Sequence, residues 1–189
     1  VALLSRLSDL APVCFVNGNH EMCVERHQPE RYQKFMDDLK NGGVQVLHNE
    51  TAWFWIDGEK VAVTGYELPW EYYRRFGRRH PSVVGMERSI GKRKQDAYQI
   101  LLTHNPVFFE EYAAWGADFT FAGHLHGGFI RLPYFGGVIS PQFQLFPKYD
   151  HGLYQMDTSS MVVGAGMGNH SGLFRINNPT EIVTVRIKR

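Results

Sequence analysis

Gly123, His124, Leu125, His126, Gly127 and Gly128 are the residues of this chain best suited to do chemistry. Two imidazoles stand one residue apart, bracketed by glycines, at the end of the short apolar run 119–122. Glycines let the backbone turn sharply. In such a turn the two rings can each reach a different metal ion, and neutral imidazole is the commonest transition-metal ligand. A turn that merely happens to hold two histidines is the competing reading of these residues taken alone.

Two further places repeat the arrangement. Asn17-Gly18-Asn19-His20-Glu21 follows the apolar run 12–16, and Thr103-His104-Asn105-Pro106 follows the apolar run 100–102. In open α/β sheets, ligands and catalytic groups collect beyond the carboxyl ends of the strands. Three apolar strands that each end in a histidine cluster predict one shared site, with Asn19, His104, His124 and His126 converging on it.

In this order the clusters resemble motifs of the calcineurin-like metallophosphoesterase family: G-N-H-[ED] at Gly18-Asn19-His20-Glu21, a lone histidine after a strand at His104, and G-H-x-H at Gly123-His124-Leu125-His126. The likeness is closer to its YkuE/YaeI-like bacterial branch. That branch's H-G-G-x-x-R-x-P stretch is matched by His126-Gly127-Gly128-Phe129-Ile130-Arg131-Leu132-Pro133. Its closing G-x-G and R-x-N-x-P-E-[IL] stretches are matched within 163–168 and 174–182. The resemblance covers essentially the whole chain.

It implies a single α/β domain over residues 1–189, a two-sheet sandwich flanked by helices. It implies hydrolysis of phosphomonoesters or phosphodiesters by a metal-activated hydroxide. Asn19, His104 and His124 would bind the second of two metals, and His126 the first. His20 would hydrogen-bond the phosphate and protonate the leaving oxygen. Mixed nitrogen and oxygen ligation suits manganese, iron or zinc. Glu21 either supports the site or caps a helix, and Asn105 either orients His104 or caps a turn before Pro106. By analogy with the family the substrate is a phosphoester of lipid-linked or nucleotide-sugar type.

One departure stands out. The family's D-x-H and G-D-x-x-D motifs do not occur in these residues. The expectation is an N-terminally truncated form, lacking its first strands, with on the order of 60–80 residues missing by the size of a βαβ unit. Such a chain would hold one metal or none, and its exposed strand edges would recruit a second copy. A non-catalytic binding or regulatory fragment of the same fold is the alternative.

The elements that must position these residues are legible in outline. At 189 residues the chain is long enough for one domain with a sizeable core. A net charge of +1 gives no global signal for nucleic acid or membrane, and no nucleic-acid partner is expected. Helical patterns occupy 1–10, 29–41 and 106–115. Strand patterns occupy 13–16, 44–47, 129–132 and 161–164. Runs at 52–56 and 61–65 flank Asp57-Gly58-Glu59-Lys60, a hairpin signal. Residues 181–188 alternate as a half-buried strand does.

Positions 70–96 hold eight Lys or Arg against three acids, interleaved with Trp70, Tyr72, Tyr73 and Phe76. They read as a solvated helix, or alternatively as a peripheral contact with acidic lipid headgroups. Cytoplasmic and membrane-associated placement in a bacterium both stay open. Cys14 reads as a core residue, and no disulfide with Cys23 is expected. His27, His48, His80 and His151 read as structural, while His170, after Asn169, echoes Asn19-His20.

Overall fold

The computed structural model describes residues 1–74, 79–128, 130–132, 136–138, 145–168 and 175–187. Arg75, Phe76, Arg78, Phe129, Pro133, Asn169, His170, Phe174 and Lys188 lie outside the described residues. The chain opens with α1 (Ala2–Ser8), which buries no residue, and a short strand β1 (Cys14–Phe15). α2 (Asn19–His27) leads into α3 (Pro29–Asn41). Pro29 opens α3, where its missing N–H has no helical partner to lose. Tyr32, Met36 and Leu39 recur at helical spacing and pack with Val44 and Val46 around β2 (Gln45–Val46). β2 pairs in parallel with β1 as a two-stranded sheet.

β3 (Thr51–Ile56) and β4 (Glu59–Tyr66) form the hairpin foreseen at Asp57-Gly58. Both turn residues have the positive φ that a tight hairpin turn needs, 51° and 83°. A 3-10 turn at Trp70–Tyr73 precedes α4 (Val83–Ile90), whose Ser82 cap accepts from the Gly85 N–H. Among the described residues the basic stretch holds a 3-10 turn and a short helix. Pro81 and Gly91 mark the ends of the helix, because neither residue type continues a helical hydrogen-bond ladder well. β5 (Tyr98–Thr103), a 3-10 turn at Pro106–Phe108, α5 (Phe109–Trp115) and β6 (Phe119–Ala122) come next. β7 (Arg131–Leu132) and β8 (Gly136–Gly137) pair antiparallel, and β9 (Gly152–Met156) and β10 (Ser159–Val163) form a closing hairpin.

The main sheet has six strands in the order β3-β4-β5-β6-β10-β9. β4, β5, β6 and β10 run parallel, with β3 and β9 antiparallel at the edges. Its principal core lies against α4 and α5, where Tyr66, Leu101, Met86, Ile90, Phe108 and Tyr112 are buried together. This mixed α/β arrangement, a six-stranded sheet flanked by helices, agrees with the fold that the resemblance implies.

The closing strand differs from expectation. Residues 181–187 form no helix and join no sheet among the described residues. Ile182, Val183, Val185 and Ile187 are exposed. Alternation specifies a face that gains by burial; it does not by itself provide a strand edge to pair with. No described helix is long and apolar enough to cross a membrane.

Candidate metal centre

The carboxyl ends of the parallel strands collect the polar side chains. β1 runs into Asn17, Gly18 and Asn19; β2 into His48; β4 into Glu67; β5 into His104; β6 into His124 and His126. Asn19 and His20 occupy the first turn of α2. Asn19 Oδ1 lies 2.9 Å from His104 Nε2. Two donors that each sit roughly 2.0–2.2 Å from one ion are about 3 to 3.5 Å apart, so this pair has nearly the spacing of co-ligands. The His124 ring lies edge-on to His104, with centroids 4.9 Å apart. Among the described residues no three His, Cys, Asp or Glu form a metal-holding group by themselves. The donor pair at 2.9 Å is instead an amide oxygen and an imidazole.

Packing fixes these rings from behind. Tyr73 is buried with its ring 5.2 Å from that of His124 and 6.1 Å from that of His104. Gly18 approaches so closely that a Cβ there would stand 2.9 Å from the His104 ring. Burial pushes the His104 pKa down to about 4, and charge on His126 and His20 pushes the same way. Burial therefore favours the neutral ring, whose Nε2–H donates to Asn19 Oδ1 here and would give Nε2 up to a metal by moving the proton to Nδ1. His20 is exposed at the mouth of this cluster.

The two open roles resolve to capping. Glu21 Oε2 accepts from the Gly18 N–H at 2.9 Å, and Asn105 Oδ1 accepts from the Val107 N–H at 3.2 Å. The His126 ring turns toward the closing segment, its Nδ1 3.3 Å from Arg175 Nη2. Asn19, His104 and His124 are thus gathered directly. His20 and His126 lie near enough to act on His104 through charge.

Sequence reading missed three neighbours. Tyr73 carried no signal beyond being one aromatic in a basic stretch. His48, read as structural, meets Glu67 Oε1 at 2.9 Å, and Asn17 lends Glu67 its backbone N–H at 3.2 Å. Asn17 Nδ2 also donates to the Tyr32 hydroxyl at 2.6 Å. Burial raises the Glu67 pKa, while His48 opposes the rise. This network braces the loop that carries Asn19. Cys14 and Cys23 are both free thiols, and His80 and His151 pair with Glu111 and Glu181.

The family model for calcineurin-like phosphoesterases matches residues 1–128. The chain belongs to the calcineurin-like phosphoesterase family. All five residues of the candidate centre fall inside the matched span. Among curated relatives of this chain, the uncharacterized protein YpbG of Bacillus subtilis (strain 168) is 30% identical over 66% of this chain and 42% of its own length. The uncharacterized metallophosphoesterase YkuE of the same organism is 29% identical over 54% of this chain and 35% of its own. The phosphodiesterase YaeI of Escherichia coli (strain K12) is 24% identical over 98% of this chain and 62% of its own. The chain thus spans between 35% and 62% of these relatives' lengths. No solved structure matches it.

Proposed function

We propose that this protein is a metal-dependent phosphoesterase whose second metal is held by Asn19, His104 and His124, with His126 serving the first. The observation that carries this reading is the 2.9 Å approach of Asn19 Oδ1 to His104 Nε2 beneath the His124 ring. Neutral amide and imidazole donors at the ends of parallel strands suit manganese, iron or zinc. Bound divalent metals supply an activated hydroxide and neutralise the phosphoryl oxygens. Asn19 offers a neutral oxygen, so it adds no repulsion against an anionic ester. His104 and His124 are held by Tyr73 so that their rings need not reorganise. His20 stands exposed in the first turn of α2, where it hydrogen-bonds the phosphate and delivers a proton to the leaving oxygen.

The name phosphodiesterase borne by the YaeI relative favours a diester, and a lipid-linked or nucleotide-sugar diester fits the same chemistry. The test uses the protein in its full natural length, stripped of metal and assayed on bis-p-nitrophenyl phosphate and p-nitrophenyl phosphate. Hydrolysis should vanish on stripping and return with Mn²⁺, Fe²⁺ or Zn²⁺, faster on the diester. The His104→Ala variant should not recover. Turnover that survives chelation would defeat the proposal.

A further inference from the structure

Arg175 and Asn178 lie outside the matched family span, and both reach the turn that carries His124 and His126. A parallel bridge between Ile130 and Ile176 lays the closing segment beside that turn, and the Arg131 N–H donates to the Ile176 carbonyl at 3.0 Å. Arg175 and Asn178 are thereby placed against it. Asn178 is buried, and its Nδ2 donates to the carbonyls of His126 at 2.5 Å and Gly128 at 2.7 Å. Gly127 makes room for this, since a Cβ there would stand 2.8 Å from Asn178 Oδ1.

The turn needs such support. His124 and His126 both hold positive φ, 65° and 50°, followed by 68° at Gly127 and 82° at Gly128. For a residue with a Cβ that conformation is disfavoured, because Cβ crowds the following carbonyl oxygen. Arg175 secures the ring itself. Its guanidinium donates to the carbonyls of Ala165 and Gly168 at 2.6 Å each and reaches Gly166 and Pro179 at 3.2 and 3.3 Å. Held in this way, it faces His126 Nδ1 at 3.3 Å. The two Nη2 hydrogens go to the Ala165 and Gly168 carbonyls, so the guanidinium bounds the Nδ1 edge of the ring as a fixed planar wall.

We propose that Asn178 and Arg175 are positioning residues for His126: Asn178 locks the left-handed backbone of the histidine turn, and Arg175 fixes the orientation of the ring. The proposal rests on the metal-dependent reading for its consequence in catalysis, but not for its structural content. The experiment compares the full-length parent with Asn178→Asp, which keeps the shape but replaces the two donors with acceptors, and Arg175→Lys, which keeps the charge but not the planar fork. Each is studied at a temperature where circular dichroism shows it folded.

In metal-free protein, nitrogen-detected NMR should show the His126 ring nitrogen shifts moving in Arg175→Lys relative to the parent, because the wall beside Nδ1 is lost. Calorimetric titration with Mn²⁺ should show the dissociation constant rising about 10–100-fold in Asn178→Asp, the range seen when a partner that orients a ligand is lost. Turnover should fall through kcat with KM little changed. A folded Asn178→Asp with parental Mn²⁺ affinity and kcat, or His126 nitrogen shifts that do not move in Arg175→Lys, would overturn the proposal. If the parent itself neither binds Mn²⁺ nor hydrolyses esters, the metal-dependent reading fails. The His126 shifts then decide the positioning roles alone.

Discussion

His20 and His104 are neighbours with opposite requirements. His104 is packed, uncharged and hydrogen-bonded to Asn19, whereas His20 is exposed at the head of α2. A ligand must keep its lone pair, and a proton donor must be able to carry a proton. His20→Ala should therefore lower diester turnover by about 10²–10⁴-fold, the usual weight of a general acid, while Mn²⁺ affinity by titration stays near parental. Equal loss of both would make His20 a ligand. Gly18→Ala should do the reverse. Its Cβ would stand 2.9 Å from the His104 ring, so metal affinity should fall first, with the helix cap intact. Tyr73→Ala should cost about 3–5 kcal/mol in thermal or urea unfolding, the range for emptying a buried aromatic site, whereas Tyr73→Phe should keep the ring packing and metal affinity. The clustering of these histidine and asparagine side chains was legible because short apolar runs deliver them at strand ends. Tyr73 was not, because its role comes from a 3-10 turn folding back over the site, and no local pattern encodes that return.

At the scale of elements, β5 and β6 were readable as apolar runs, and the β3–β4 hairpin as Asp-Gly between two such runs. β1 and β2 are only two residues each, which is why His48 at the end of β2 was read apart from the site. Alternation over 181–188 predicts a strand, yet what anchors the described part of the segment is side-chain contact near its start. Glu181 is drawn in by the Ala165 N–H at 2.7 Å and by His151 at 2.8 Å. Partial burial would raise the Glu181 pKa, but the Ala165 N–H and His151 outweigh it, so the net shift is downward. An acid held below its unfolded value stabilises the native state above that value, and the contribution is lost as pH falls through the folded one. Protection of the Ala165 amide against hydrogen exchange, corrected for intrinsic rate, should thus hold at neutral pH and decline below about pH 4.5, the ordinary glutamate range. In Glu181→Gln that decline should flatten. An unchanged profile in the variant would show that another group anchors the segment.

For the molecule as a whole, family membership and the main sheet were legible because the strand-end motifs stand at the ends of short apolar runs in the chain's own sequence. The order of the parallel strands brings five polar side chains from separate stretches of sequence to one end of the fold. What composition could not reveal is the closing segment's grip on the histidine turn, which depends on Arg175 and Asn178 meeting backbone carbonyls far away in sequence. On the proposed reading the strand-end cluster holds a divalent metal. The most direct test of that reading is anomalous diffraction at the manganese or zinc edge from crystals of the full-length protein grown with that metal. A bound metal should give a peak roughly 2.0–2.3 Å from the Asn19 oxygen and a nitrogen of both His104 and His124. Metal bound elsewhere, with Asn19 and His104 still hydrogen-bonded to each other, would contradict it.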